Sequence, residues 1–394
     1  MRRVFIGFAH RTPITPQHGE AQSISYYDLA APVLKALLKN IQALNQTRNT
    51  LGKNETWHLH SIIAGNGLGA GGNPARLMAL AAGLPEGLPA LSVDTQCCSG
   101  LDSIGLAYER LRSLPAGYEN QVVLAGGAES ASQAPIRMHR NSNKVYEQAP
   151  FTPWKNRDPS MIEAALALED LRKIPKSRMF DWAIRSHRLS LAQTRVKTEF
   201  IIPEARVTRD SHTRPLTSKL CERAARLGRY NPCLIAPLAD GAAFAAVMSL
   251  ETASFEAWKE VSNSDLSDSR DGDPLEVLDY HQTGSNPDLP GLSCAALLPW
   301  LKQSERRFAF SRSDLIVSLM ESFCSQVLAT IDDLGLNPNH VNPWGGLLAK
   351  GHPIGASGAV LVLELFKNLK PGQVGMAAIP AGGGLASGLL VRRG

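Results

Sequence analysis

Apolar positions along the chain recur with two different periods. Short apolar runs at Val4–Ala9, Ser61–Ala64, Ala90–Val93 and Met376–Ile379 read as buried strands. Between them, apolar residues fall at helical spacing. Leu29, Val33, Leu34, Leu37, Leu38 and Ile41 form one face of a helix that Asp28 is placed to cap. Pro32 falls in its first turn, where a missing N–H is tolerated. An alanine- and leucine-rich helix is predicted from Pro74 to Ala82, and Leu101, Ile104, Tyr108 and Leu111 mark another. Strands alternating with helices predict mixed, mostly parallel sheets with buried central helices.

The pattern repeats. Ser99-Gly100 opens a helix, and a strand ending in Gly126-Gly127 follows; Ser357-Gly358 opens the helix Ala359–Phe366, and Met376–Ile379 runs into Gly382-Gly383-Gly384 at a similar offset. This echo predicts two α/β halves of common design. The front half is 1–130, rejoined by 231–250, and the rear half is 251–394. Residues 131–230 are rich in Arg, Lys, Pro and Asn and poor in strand signals, and helices are expected at Ile162–Leu171 and Met179–Ala192. They read as an inserted loop domain. Asn263–Asp273 reads as a polar surface connection.

A chain of 394 residues exceeds one small domain. With 44% hydrophobic and 20% charged residues, bulk disorder is excluded. The net charge of +5 comes without a run of like charges, so no nucleic-acid partner is indicated. No apolar stretch approaches the ~18 residues of a membrane span. The start, Met1-Arg2-Arg3 and a short apolar run, lacks the core and cleavage site of a secretory signal, so a cytoplasmic location is expected. Cysteines 97, 98, 221, 233, 294 and 324 have the spacing of neither a disulfide framework nor a zinc site. Gly65, Gly67, Gly69, Gly71 and Gly72 lack the Lys-Ser/Thr of a P-loop and the spacing of a dinucleotide fingerprint. A loop of unusual dihedrals is the leading reading and a phosphate cradle the lesser one.

The chemistry centres on Cys97, which sits where a strand gives way to a helix. A helix N-terminus is expected to lower a thiol's pKa and favour the nucleophilic thiolate. A nucleophilic cysteine needs a base, and His352 is the obvious one, held among glycines and a proline in Ala349–Gly358. If the two halves face one another, the two residues meet.

These residues lie in segments that resemble the thiolase family over nearly the whole chain. Val93-Asp94-Thr95-Gln96-Cys97-Cys98-Ser99-Gly100-Leu101 is similar to the nucleophile signature, and Gly126–Ser132 to the segment after it. Arg11-Thr12-Pro13-Ile14, Asn73-Pro74-Ala75-Arg76 and Asp240-Gly241-Ala242-Ala243 match further segments, and Gly351–Ala359 matches the histidine motif. The resemblance implies a thiolase fold: two βαβαβαββ-like halves in a five-layer α/β/α/β/α arrangement with an inserted loop domain. It implies acyl transfer through an acyl-enzyme at Cys97, with His352 assisting deprotonation and the backbone N–H groups of Cys97 and Gly382 stabilising the oxyanion. Coenzyme A or acyl-carrier-protein thioesters are the implied substrates. A homodimer or homotetramer is implied, with no metal or redox cofactor.

Several positions depart from the family pattern. Pro380 stands where the second catalytic cysteine is expected, and proline can neither take nor give a proton. Met320-Glu321-Ser322-Phe323 replaces Asn-Glu-Ala-Phe, losing the amide that holds an oxyanion-stabilising water. Ala236 replaces a serine near the pantetheine, Ile162 follows Met161 in place of glycine, and Trp344 replaces asparagine in the histidine loop. Glu321 is the one carboxylate placed close enough to be a replacement base, although its family role is structural; Cys324 is a weaker candidate. Acylation is therefore expected to survive while condensation is impaired. The alternatives are an ordinary acetyl-CoA C-acyltransferase with a replaced base, and a non-catalytic homologue that binds acyl-CoA or serves as a complex subunit.

Overall fold

The computed structural model describes residues 2–50, 56–118, 120–146, 148–193, 207–226, 228, 230–250 and 274–394. The expected polar connection at 263–273 lies outside them, as does part of the loop domain.

Nine principal strands run β1 Arg3–Arg11, β2 His58–Gly65, β3 Ala90–Val93, β4 Gln121–Ser130, β5 Ala239–Leu250, β6 Leu275–Gly284, β7 Ile316–Leu319, β8 Val374–Ala381 and β9 Leu385–Arg393. Their hydrogen-bonded order is β7-β8-β9-β6-β1-β5-β4-β2-β3. The front strands β3, β2, β4, β5 and β1 join the rear strands through a short β1–β6 pairing, Phe5 with Glu276 and Ile6 with Leu275. The sheet is mixed rather than mostly parallel. Only β7–β8, β4–β2 and β2–β3 pair in parallel. The glycine turn 382–384 sends β9 straight back along β8, and such a tight return makes a pair antiparallel.

Alternation along the strands separates three cores, as side chains on a strand point to opposite faces. Val4 and Ile6 face an inner core that also takes Leu101, Ile104, Val360 and Leu363 from the helices Ser99–Ser113 and Ile354–Asn368. Phe5 and Phe8 face an outer core under the helices Tyr26–Thr50 and Pro74–Ala81. On the rear sheet, Val317 and Met376 pack beneath the helices Leu298–Phe308 and Cys324–Leu334. The result is the expected five-layer arrangement. The inserted helices Met161–Arg172 and Lys176–Ala192 join this rear outer core through Ala165, Met179 and Trp182.

Helix starts lie at least three residues earlier than the apolar periodicity predicts in three places, one of them the inserted helix that begins at Lys176 rather than Met179. The first helix begins at Tyr26, where Ser25 accepts the N–H of Asp28, so Asp28 sits inside the first turn and Pro32 beyond it. The rear inner helix begins at Ile354, three residues before Ser357. The two inner helices meet almost backbone to backbone. A Cβ on Gly127 would lie 2.0 Å from the Gly355 carbonyl oxygen, and one on Gly65 or Gly100 2.6 Å from it.

Candidate active site

The nucleophile turn is built from local hydrogen bonds. The Ser99 hydroxyl accepts the Thr95 N–H at 2.9 Å and donates to the Gln96 carbonyl at 2.6 Å. This holds Gln96 in the left-handed region at φ +57°, a costly conformation for a side chain other than glycine, and leaves Cys97 half-buried at the tip. Across the interface, Lys350 pairs with Glu364 at 2.7 Å, and the His352 N–H donates to the Pro237 carbonyl at 2.7 Å. These contacts fix the turn that carries the imidazole.

The turns bring Cys97 Sγ to 3.2 Å from His352 Nε2, while His352 Nδ1 lies 2.6 Å from Ser357 Oγ. With the proton on Nδ1 donated to Ser357, Nε2 is free to accept from the thiol. Burial holds His352 neutral by lowering its pKa to about 3. The Cys97 thiol is pushed up to about 12, chiefly by burial and further by the charges of Glu129 and Asp94. This overturns the expectation of a lowered thiol pKa: burial outweighs the favourable amides. The resting pair is a thiol beside a neutral imidazole, so the proton moves as the sulfur attacks.

The backbone N–H groups of Cys97 and Gly382 lie near enough to the sulfur to favour its anion. Gly382 lies flat against Phe151, whose ring a Cβ there would enter at 2.6 Å. Beside the sulfur opens a pocket with a mainly apolar lining that includes Met161, Leu168, Phe323, Gln326 and Pro380. Ala236, Met320 and Trp344 do not line it. They belong to, or pack against, the inner apolar cluster that also borders Cys97. The amide expected at position 320 is thus replaced by a fully buried apolar side chain.

Glu321 is not aimed at the sulfur. Its carboxylate is buried and accepts from Trp182 Nε1 at 3.0 Å, Ser186 Oγ at 2.7 Å, Asn342 Nδ2 at 2.7 Å and the Leu348 N–H at 3.1 Å. A carboxylate so engaged anchors the inserted helix and the histidine loop to the rear half, which corrects its candidacy as a base. Cys324 is fully buried beneath that helix, with its thiol pushed well above the ordinary range by burial. Among the described pocket-lining residues Cys97 is the one titratable group.

The sequence alone did not single out Ser357, Gln326 or Glu129. Ser357 stood in the histidine motif only as a helix opener. Gln326 faces the pocket from the Cys324–Leu334 helix and accepts the Ser322 N–H. The front glycine loop is not a phosphate cradle, because its N–H groups at Gly67 and Leu68 are taken by Glu129. Gly71 and Gly72 have φ of +85° and +77°, the unusual dihedrals expected of that loop.

The thiolase N-terminal domain model matches residues 4–250, and the thiolase C-terminal domain model residues 277–393. The chain is 32% identical over 429 residues to a Staphylococcus aureus (strain N315) protein named "Probable acetyl-CoA acyltransferase", with 100% of each covered. Its fold matches a Bacillus anthracis acetyl-CoA acetyltransferase with TM-score 0.76 and 25% identity, covering 100% of this chain and 99% of that one. It also matches the Acat5 thiolase from Ascaris suum, solved with coenzyme A, with TM-score 0.76 and 24% identity, covering 99% of this chain and 100% of that one.

Proposed function

The chain belongs to the thiolase family of acyltransferases, and on that premise we propose that Cys97 takes an acyl group from a coenzyme A or carrier-protein thioester and passes it to an acceptor. The observation that carries this is the Cys97–His352 contact beside a pocket, with two backbone amides nearby that favour the sulfur's anion.

In the first half-reaction Sγ attacks the thioester carbonyl carbon as its proton passes to His352 Nε2. The amides of Cys97 and Gly382 hold the oxyanion. Collapse breaks the carbon–sulfur bond to coenzyme A, whose thiolate takes the proton back from His352. The acyl-enzyme then meets the acceptor, and the same steps run in reverse. No metal or redox group is needed.

Pro380 and Met320 set the limit. The pocket offers no second acid or base among its described lining residues to take a proton from an acceptor carbon. A positioned acid/base contributes roughly 10²–10⁴-fold, so unassisted condensation is slowed by about that factor. Acceptors that supply their own driving force remain, such as a decarboxylating carbon nucleophile, an amine, an alcohol or a thiol.

A homo-oligomer formed through the front half is part of the proposal. The edge strand β3 and the neighbouring helix Pro74–Ala81 present Leu91, Leu77 and Leu80 to solvent, and an open strand edge invites pairing. Among the described residues no helix is long and apolar enough to cross a membrane, and we place the protein in the cytoplasm.

The test is a rapid-mixing experiment with acetyl-CoA and a thiol-reactive chromophore. A burst of coenzyme A stoichiometric with enzyme, followed by slow thiolysis of acetoacetyl-CoA, is expected. Burst and fast thiolysis together favour the ordinary thiolase; binding without a burst favours the non-catalytic homologue.

A further inference from the structure

Glu129 is the penultimate residue of β4 and is 1% exposed. Its carboxylate takes four hydrogen bonds. Oε1 accepts from Asn66 Nδ2 at 2.8 Å and the Leu68 N–H at 3.2 Å; Oε2 accepts from the Gly67 N–H at 2.9 Å and the Gly355 N–H at 3.0 Å. Three donors belong to the front half. The fourth lies in the first turn of the rear inner helix, three residues after His352.

That helix needs an outside partner. Its N-cap is Pro353, which offers no side-chain hydrogen bond to the orphan amides of the first turn. Glu129 supplies the missing acceptor from across the interface and places a negative charge at the positive end of the helix dipole. The Gly355 carbonyl is wedged in the same place among Gly65, Gly100 and Gly127. The backbone just beyond His352 is therefore held at both its N–H and its C=O by the half that carries Cys97.

We propose that Glu129 is a positioning residue that clamps the His352 turn to the front half and sets the Cys97–His352 contact. It also acts on the sulfur through space. The titratable groups around the pair are Asp94, whose negative field adds on both Glu129 and Cys97, and the neutral phenol of Tyr26 on the outer face, which burial and the charge of Glu129 keep protonated. Burial pushes the Glu129 carboxyl up to about 7 against its four donors. In its ionised form it opposes thiolate formation at Cys97 and leaves the sulfur dependent on proton transfer to His352.

The proposal rests on the acyl-transfer role of Cys97 and His352, so its test includes a readout that needs no acyl transfer. Full-length wild type, Glu129→Gln and Glu129→Asp are compared in two assays. One is acyl loading from acetyl-CoA; the other is the pH dependence of Cys97 alkylation by iodoacetamide, quantified on the Cys97 peptide. Glu129→Gln removes the charge and one acceptor oxygen. It is expected to lower the maximal loading rate about 10²-fold, the cost of misplacing reacting groups by an ångström or so, with the half-saturating acetyl-CoA concentration unchanged. Its alkylation profile moves to lower pH. Glu129→Asp keeps the charge and leaves that profile in place, while its shorter reach still slows loading.

A purely structural role would lower melting temperature in both variants and give them the same alkylation profile. That outcome overturns the proposal, as does wild-type loading in Glu129→Gln. If wild type itself loads no acyl group, the acyl-transfer function fails, and the contrast between the two alkylation profiles still decides the role of Glu129.

Discussion

Cys97 Sγ and His352 Nε2 lie 3.2 Å apart although 255 positions separate them in sequence. The contact exists because two inner helices start from opposite halves and pack with glycine backbones touching. Each residue sits just ahead of its helix, on a turn tied down by local hydrogen bonds.

The protonation states give the first prediction. A thiol near 12 beside an imidazole near 3 is not a thiolate–imidazolium pair. Iodoacetamide alkylation of Cys97 is expected to rise about tenfold per pH unit from about pH 7 to about pH 10, as a simple thiol titrates. A plateau reached below about pH 7 would mean a preformed ion pair.

His352 is the base, and its orientation depends on Ser357. His352→Asn is expected to slow loading by roughly 10²–10⁴-fold. Ser357→Ala leaves the base in place but frees its tautomer, so the loss is smaller, about tenfold. Stopped-flow release of coenzyme A measures both. Equal loss in the two variants would show that the hydroxyl does more than orient the ring.

Glu321 is treated by the fold as an anchor. Glu321→Ala strands four buried donors from three segments, including the inserted helix, and is expected to cost about 3–5 kcal/mol of folding stability. Urea denaturation reads the loss. The pH profile of loading in the folded fraction stays as in wild type; a lost acidic limb would instead mark Glu321 as a base.

Pro380 lines the pocket at the end of β8. Pro380→Cys restores an ionisable group where carbon–carbon chemistry needs one. Thiolysis of acetoacetyl-CoA is expected to rise at least about tenfold, while acyl loading stays within about twofold. No gain in thiolysis would show that Met320 or Trp344 blocks the step independently.

Much of this was legible in the sequence, for physical reasons. Apolar runs at Val4–Ala9 and Met376–Ile379 had to be buried strands, and the repeated Ser-Gly pairs in the first turns of two helices announced two similar halves. Cys97 was legible because it stands where a strand gives way to a helix, and His352 because glycine and proline around it leave few backbone choices. What escaped notice depends on distant partners. Nothing local shows that Glu321 faces Trp182 and Ser186, or that Glu129 meets Gly355. The sign of the Cys97 shift was missed because the helix effect is local and burial is not. The antiparallel centre of the sheet comes from the returning strands β5 and β9, whose partners the local pattern does not fix. The helix starts at Tyr26 and Ile354 lie in polar or glycine-rich segments where apolar periodicity carries no signal.

Peptide mapping by mass spectrometry after a brief incubation with acetyl-CoA tests the central claim most directly. The predicted result is an acetyl increment on the peptide holding Cys97, absent in Cys97→Ser and accumulating far more slowly in His352→Asn. An increment that persists without the sulfur, or none with any short-chain thioester, would contradict it.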